Sequence, residues 1–116
     1  MELRQIAELL NAEVLTNPEL LDTHVDNVFC TDVMADVLAY ASSHTVLITR
    51  LLNLSVVRSA MMADIHCVVF SDSTAPAPEL LDLAEIHEMV VMSTHETMFH
   101  AVNALLDAGL QDAEWI

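Results

Sequence analysis

Lysine is absent from this chain of 116 residues, and three arginines, Arg4, Arg50 and Arg58, face 18 acids for a formal net charge of −15. Clustered Lys and Arg hold phosphate backbones and anionic membrane surfaces, so no nucleic acid and no membrane surface is an expected partner. Glycine occurs once, at Gly109. A phosphate-binding P-loop and a GxGxxG dinucleotide turn both need several glycines, so P-loop kinase activity is not expected. The G-x-S-x-G nucleophile elbow is missing as well. Cys30 and Cys67 are the two cysteines. Each falls in an apolar run, where Cys acts as a small hydrophobe. The opening MELRQIAELL lacks a basic, then plainly apolar, export pattern. Together these features point to a reducing cytoplasm. The sequence leaves a Cys30–Cys67 disulfide open. No apolar run reaches the roughly 18 residues of a membrane span.

What is present is aliphatic. Hydrophobic residues make up 54%, with seven Met and only 4% aromatics. That is enough for the core of one domain over residues 1–116, and it argues against a disordered chain. The acidic excess reads first as a solvated surface that keeps an apolar protein dissolved. The second reading is a docking face for a basic partner.

The central stretch is Thr45–Phe70. It reads TVLIT, then RLLNLSVVRSAMMAD, then IHCVVF. Two short apolar runs around a helix-length amphipathic segment predict a parallel strand–helix–strand unit. Upstream, Leu3, Ile6, Leu9 and Leu10 give an opening helix one apolar face. Glu13–Thr16 reads as a short strand before the Asn17-Pro18 turn. His24–Thr31 reads as a strand, and Asp32 suits the cap of a helix that buries Val33, Met34, Val37 and Leu38. The helix after Asn53 or Ser55 points Val56, Val57, Ala60 and Met61 inward. Beyond the 71–78 loop, a helix buries Leu80, Leu81, Leu83, Ala84 and Ile86, and Met89–Met92 is a strand. Ser93 or Thr94 caps a last helix with Met98, Val102, Leu105 and Leu106 on its apolar side, ended by Gly109. Residues 112–116 form a tail in which Trp115 packs back or meets a partner. The order β-α-β-α-β-α predicts an α/β fold, a three-layer, mostly parallel sheet with helices on both faces.

In such sheets ligands sit beyond the carboxyl ends of the strands. Here those ends are Thr31-Asp32, Thr49–Asn53, Ser71–Thr74 and Ser93–His95, all polar and all leading into helix N-termini that can hold anions. Helix capping alone also accounts for every one of these residues. The candidate ligand-binding residues are Asp32, Asp36, Thr49, Asn53 and Thr94. Asp32 and Asp36 lie one turn apart and read either as paired carboxylates or as a cap and an exposed acid. No metal site is predicted. His66 and Cys67 point to opposite faces of a strand, and His95 and His100 miss the i, i+4 register.

The sequence resembles the DRTGG domain family over roughly residues 3–110. The resemblance rests on Asp32-Val33-Met34-Ala35-Asp36-Val37 after a strand, and on an apolar strand ending in Thr49 with Asn53 beyond it. Val56-Val57-Arg58-Ser59-Ala60, Met62-Ala63-Asp64-Ile65 and a later strand ending in Thr94 also fit. The namesake Asp-Arg-and-glycine run falls near Asp22-Thr23-His24, where only Asp22 matches. Arg50 and Leu52 stand where smaller or polar residues are expected. The family resembles the N-terminal domain of HPr kinase/phosphorylase, which lacks the kinase P-loop. Its members occur beside CBS domains in some pyrophosphatases and beside phosphotransacetylase, in dimerisation and regulation. Some free-standing ones are encoded near hydrogenase genes.

The resulting expectation is a non-catalytic regulatory or scaffold domain acting as a homodimer, with no cofactor. A further protein partner would be a redox or metabolic enzyme. One alternative is a small-ligand sensor, with a nucleotide as one candidate, binding at the strand ends. The other is a small enzyme using the Asp pair.

Overall fold

The computed structural model describes residues 1–72 and 75–115. Six strands form one sheet, with β1 (Glu13–Val14) and β6 (Gln111–Asp112) at its edges. The four inner strands are β2 (Asn27–Cys30), β3 (Thr45–Thr49), β4 (Cys67–Phe70) and β5 (Val90–Ser93). They pair in parallel and in sequence order. Every residue of β3 and β4 is buried, as expected of continuous apolar runs covered on both faces.

Between these strands run α2 (Met34–Tyr40), α3 (Leu54–Met62) and α4 (Pro78–Ile86). Strands that step in one direction through crossovers of one hand place their helices on one face. Accordingly Val37, Val56, Val57, Ala60, Leu80 and Ala84 share one core with Leu47, Val68 and Val91. The opposite face carries α1 (Leu3–Leu9) and α5 (Met98–Asp107). Leu3, Ile6, Ala101 and Leu105 pack there against Val46, Ile48, Val69 and Met92. Helix α5 runs back across β3 and β2, and the chain then adds β6 (Gln111–Asp112) to the far edge. The three layers therefore stand as the residue pattern predicts.

Several local expectations are corrected. The predicted tail contains a strand: Gln111–Asp112 pairs with Asn27 and Val28, and a 3-10 turn follows at Ala113–Trp115. The side chain of Trp115 lies outside the described residues. The short strand β1 (Glu13–Val14) is antiparallel to β5. Beside it the buried Thr16 hydroxyl donates to the Met89 carbonyl at 2.6 Å and accepts the Val91 N–H at 2.9 Å. Val33, Leu38, Met61 and Ile86 are exposed. Helices α2, α3 and α4 are an outer layer, so only one narrow stripe of each reaches the sheet. Both cysteines are free. No helix among the described residues is long and apolar enough to cross a membrane.

The shortage of glycine has a visible cost. Four helices end in the same left-handed turn, at Asn11, Asp64, Glu88 and Gly109 (φ 48°, 61°, 56° and 113°). Each is followed by a bond back over the last turn, as from the Met89 N–H to the Ala84 carbonyl at 2.9 Å. Gly109 adopts this conformation freely, and Asn11 and Asp64 have short polar side chains that ease it, which leaves Glu88 as the costly one. Exposed Glu88 has no short polar side chain to ease it. Glu88→Gly is expected to raise stability by about 1 kcal/mol in urea unfolding. A loss of stability would contradict this view of the turn.

Candidate functional site

The carboxyl ends of β2, β3, β4 and β5 lie along one end of the sheet. The fold's switch point lies between β4 and β5. The chain leaving β4 enters α4 on one face, and the chain leaving β5 enters α5 on the other. Ligand crevices of open α/β sheets form at such points. Here the two exit loops bond to each other, with the Asp72 N–H donating to the Glu96 carbonyl at 2.9 Å. Asp72 is left-handed (φ 65°) and accepts the Ser71 hydroxyl at 2.7 Å. Ser73 and Thr74, part of this predicted strand end, lie outside the described residues.

Asp32 and Thr49 are brought together. Asp32 does not cap α2, whose N-cap is Val33. Its carboxylate reaches across to the next strand, accepting the Thr49 hydroxyl at 2.9 Å and the Arg50 N–H at 2.8 Å, with the Arg50 guanidinium at 3.5 Å. Burial alone would raise this carboxyl. The hydrogen bonds from the Arg50 backbone, the Thr49 hydroxyl and the Arg50 side chain outweigh it and hold Asp32 below the ordinary carboxylate range. Thr49 is fully buried, and its oxygen also accepts the Leu51 N–H at 3.1 Å.

The other predicted residues go elsewhere. Asn53 caps α3, accepting the Ser55 N–H at 2.9 Å and also the Ser55 hydroxyl. Thr94 is buried and does not cap α5; Thr97 does. Its hydroxyl donates to the Leu10 carbonyl at 2.6 Å and accepts the Glu96 N–H at 3.2 Å, which ties the end of β5 to α1. Asp36 is exposed in the first turn of α2. Asp32 is occupied by Thr49 and Arg50, so the two acids form no pair.

Asp32 does line a cleft of about 400 Å³, with Arg50, Leu51 and Asp72. Arg50 and Asp72 are not among the residues that the sequence predicts for the site. The scarcity of arginine was the available signal for the first. Cys30 is half-buried near this cleft. Burial, together with the charges of Asp32 and Asp72, pushes its thiol up to about 11. Buried Cys67 is pushed higher still by burial alone. Both shifts disfavour the thiolate, the reactive form of a cysteine. A second cleft, of about 530 Å³, opens at the other end of the sheet beside His66 and His87 and holds none of the predicted residues. No group of three or more His, Cys, Asp or Glu that could hold a metal occurs among the described residues.

Asp32→Ala leaves the buried Thr49 hydroxyl without its acceptor. The expected loss is about 1–2 kcal/mol at neutral pH, the low end for a charged acceptor because the carboxylate is partly exposed. The folded-state pKa is depressed from 3.8, so the carboxylate's contribution is present above that value and is lost as pH falls through the lowered one. The gap between wild type and variant should therefore hold from neutral pH to about pH 4 and shrink below it. Urea unfolding across pH measures this, and a gap independent of pH would contradict it.

No curated protein matches the chain. The crystal structure of the CBS and DRTGG domains of the regulatory region of Clostridium perfringens pyrophosphatase, complexed with the activator diadenosine tetraphosphate, is similar with a TM-score of 0.78. Identity is 15%, with 99% of this chain and 52% of that chain covered, so this chain spans about half of that one. At that identity the likeness shows a shared fold. The DRTGG domain family matches residues 5–108, nearly the whole length, and the chain belongs to that family.

Proposed function

We propose that this chain is a non-catalytic regulatory module that works as a homodimer, joined through the exposed side of α5. The carrying observation is a stripe on that helix. Phe99 (70% exposed), Val102 and Leu106 recur at i, i+3 and i+7 and so share one side. Leu9 is exposed on the neighbouring α1. Over Met98–Asp107 the only acid is Asp107. Two copies each carrying −15 repel, so they can approach closely only where carboxylates are sparse. Helix α4, with Glu79, Asp82 and Glu85, offers no such side.

The non-catalytic part is supported by the fate of the strand-end side chains. Asp32, Thr49, Asn53 and Thr94 all serve internal hydrogen bonds. Burial pushes both thiols up, away from the reactive thiolate, and the Asp pair is not assembled. Sedimentation equilibrium tests the dimer. A mass of twice the 12.8 kDa chain is expected, and a single-chain mass at every concentration would overturn it.

A second reading, ligand sensing, is favoured by the similar structure, whose regulatory region is complexed with a nucleotide activator. In that reading, bound ligand sets the state of the module. Its test is a thermal shift with diadenosine tetraphosphate, where no shift would count against it.

A further inference from the structure

Arg58 is the one arginine without a carboxylate partner among the described residues. Arg4 contacts Glu2 at 3.1 Å and Asp22 at 2.6 Å, and Arg50 contacts Asp32 at 3.5 Å. With 18 acids against three arginines, a solvent-facing guanidinium that meets none of them is uncommitted charge. It sits on α3 beside a groove of about 560 Å³ between the N-terminal parts of α3 and α4. That volume falls within the roughly 300–1,000 Å³ of small-molecule sites. The apolar lining is Leu52, Leu54, Ala77 and Leu80. Glu79, on α4, lines the same groove and makes no ion pair with Arg58. The groove thus presents one free cation on one helix and one free carboxylate on the other, with leucine surface beside them.

We propose that this groove binds a small organic anion that also carries an amino group and an apolar body. Its anionic group pairs with Arg58, its amino group donates to Glu79, and its apolar part covers the leucines. A phosphate or carboxylate suits the guanidinium fork. Glu79 disfavours a plain anion and selects for the amine. Two sources carry an anion, an N–H donor and an apolar body: an aminopurine nucleotide, whose amine is neutral and far from its phosphate, and an apolar amino acid, whose ammonium is charged and adjoins its carboxylate. The site deepens the ligand-sensing reading and rests on it, but it is independent of self-association.

The test is calorimetric titration of the full chain with adenosine monophosphate and with L-leucine. Each is paired with its analogue lacking the amine, inosine monophosphate or isocaproate. One of the two amines is expected to bind saturably, and which one identifies the source. Arg58→Gln should weaken it by about tenfold or more. Glu79→Gln should abolish the preference over the analogue lacking the amine. Both side chains are exposed, so both variants are expected to fold, with circular dichroism as the check. Binding that survives Arg58→Gln would overturn the groove and leave sensing at another site. No binding by either amine, where diadenosine tetraphosphate shifts the melting temperature of Arg58→Gln as much as that of the wild type, would overturn the groove alone. No response to any of these ligands would overturn both.

Discussion

Phe70→Ala is expected to remove about 3–5 kcal/mol of stability, the range for emptying a fully buried aromatic site. Phe70 ends β4, inside the sheet, and is fully buried. It packs in the core shared with α2, α3 and α4. Its carbonyl accepts the Thr94 N–H at 2.9 Å, so the same residue aligns the exits of β4 and β5. Domains of ordinary size are stable by about 5–15 kcal/mol, so one substitution takes a large fraction of the total. Urea unfolding should show a lower midpoint with an unchanged slope. A loss below about 1 kcal/mol would mean that the core closes around the gap, contrary to a tightly packed layer.

Phe99→Asp is the second large effect, and it should act on assembly without touching the fold. Phe99 is 70% exposed, so stability of the single chain should stay within about 0.5 kcal/mol. At the dimer face the change removes an aromatic anchor and adds a carboxylate facing its own copy. Anchors of this kind contribute about 2 kcal/mol or more, which corresponds to at least about thirtyfold weaker association. Sedimentation at falling concentration reads this directly. An unchanged dissociation constant would remove α5 from the interface. Met62, 74% exposed at the end of α3, supplies the control, because Met62→Asp should leave association unchanged.

The layered fold was legible because its cause is local and repeated. Apolar runs such as TVLIT and CVVF form inner strands, and amphipathic segments between them form covering helices. The two edges were less legible. Gln111-Asp112 has no strand character of its own and becomes β6 only by pairing with Asn27 and Val28. The helix stripes that the sequence predicts are too wide at Met61 and Ile86, because a sequence period fixes a direction without saying how deep the layer lies. The candidate site shows the same divide. Thr49 and Asp32 both stand out in the sequence as polar strand ends, but their bond spans 17 positions and no local rule reports it. The same residue types that cap helices here bond to distant partners, Asp32 to Thr49 and Thr94 to Leu10. So the sequence points Asp32, and Ser93 or Thr94, to helix ends that Val33 and Thr97 occupy. Of the two residues the sequence offers as the start of α3, Asn53 and Ser55, Asn53 is the cap, and its partner is only two residues away.

Hydrogen exchange of the α5 amides across a dilution series tests self-association through this face most directly. The proposed dimer predicts that protection from Phe99 to Leu106 falls on dilution, while protection in α3 and α4 stays constant. Protection in α5 that does not change with concentration would contradict it.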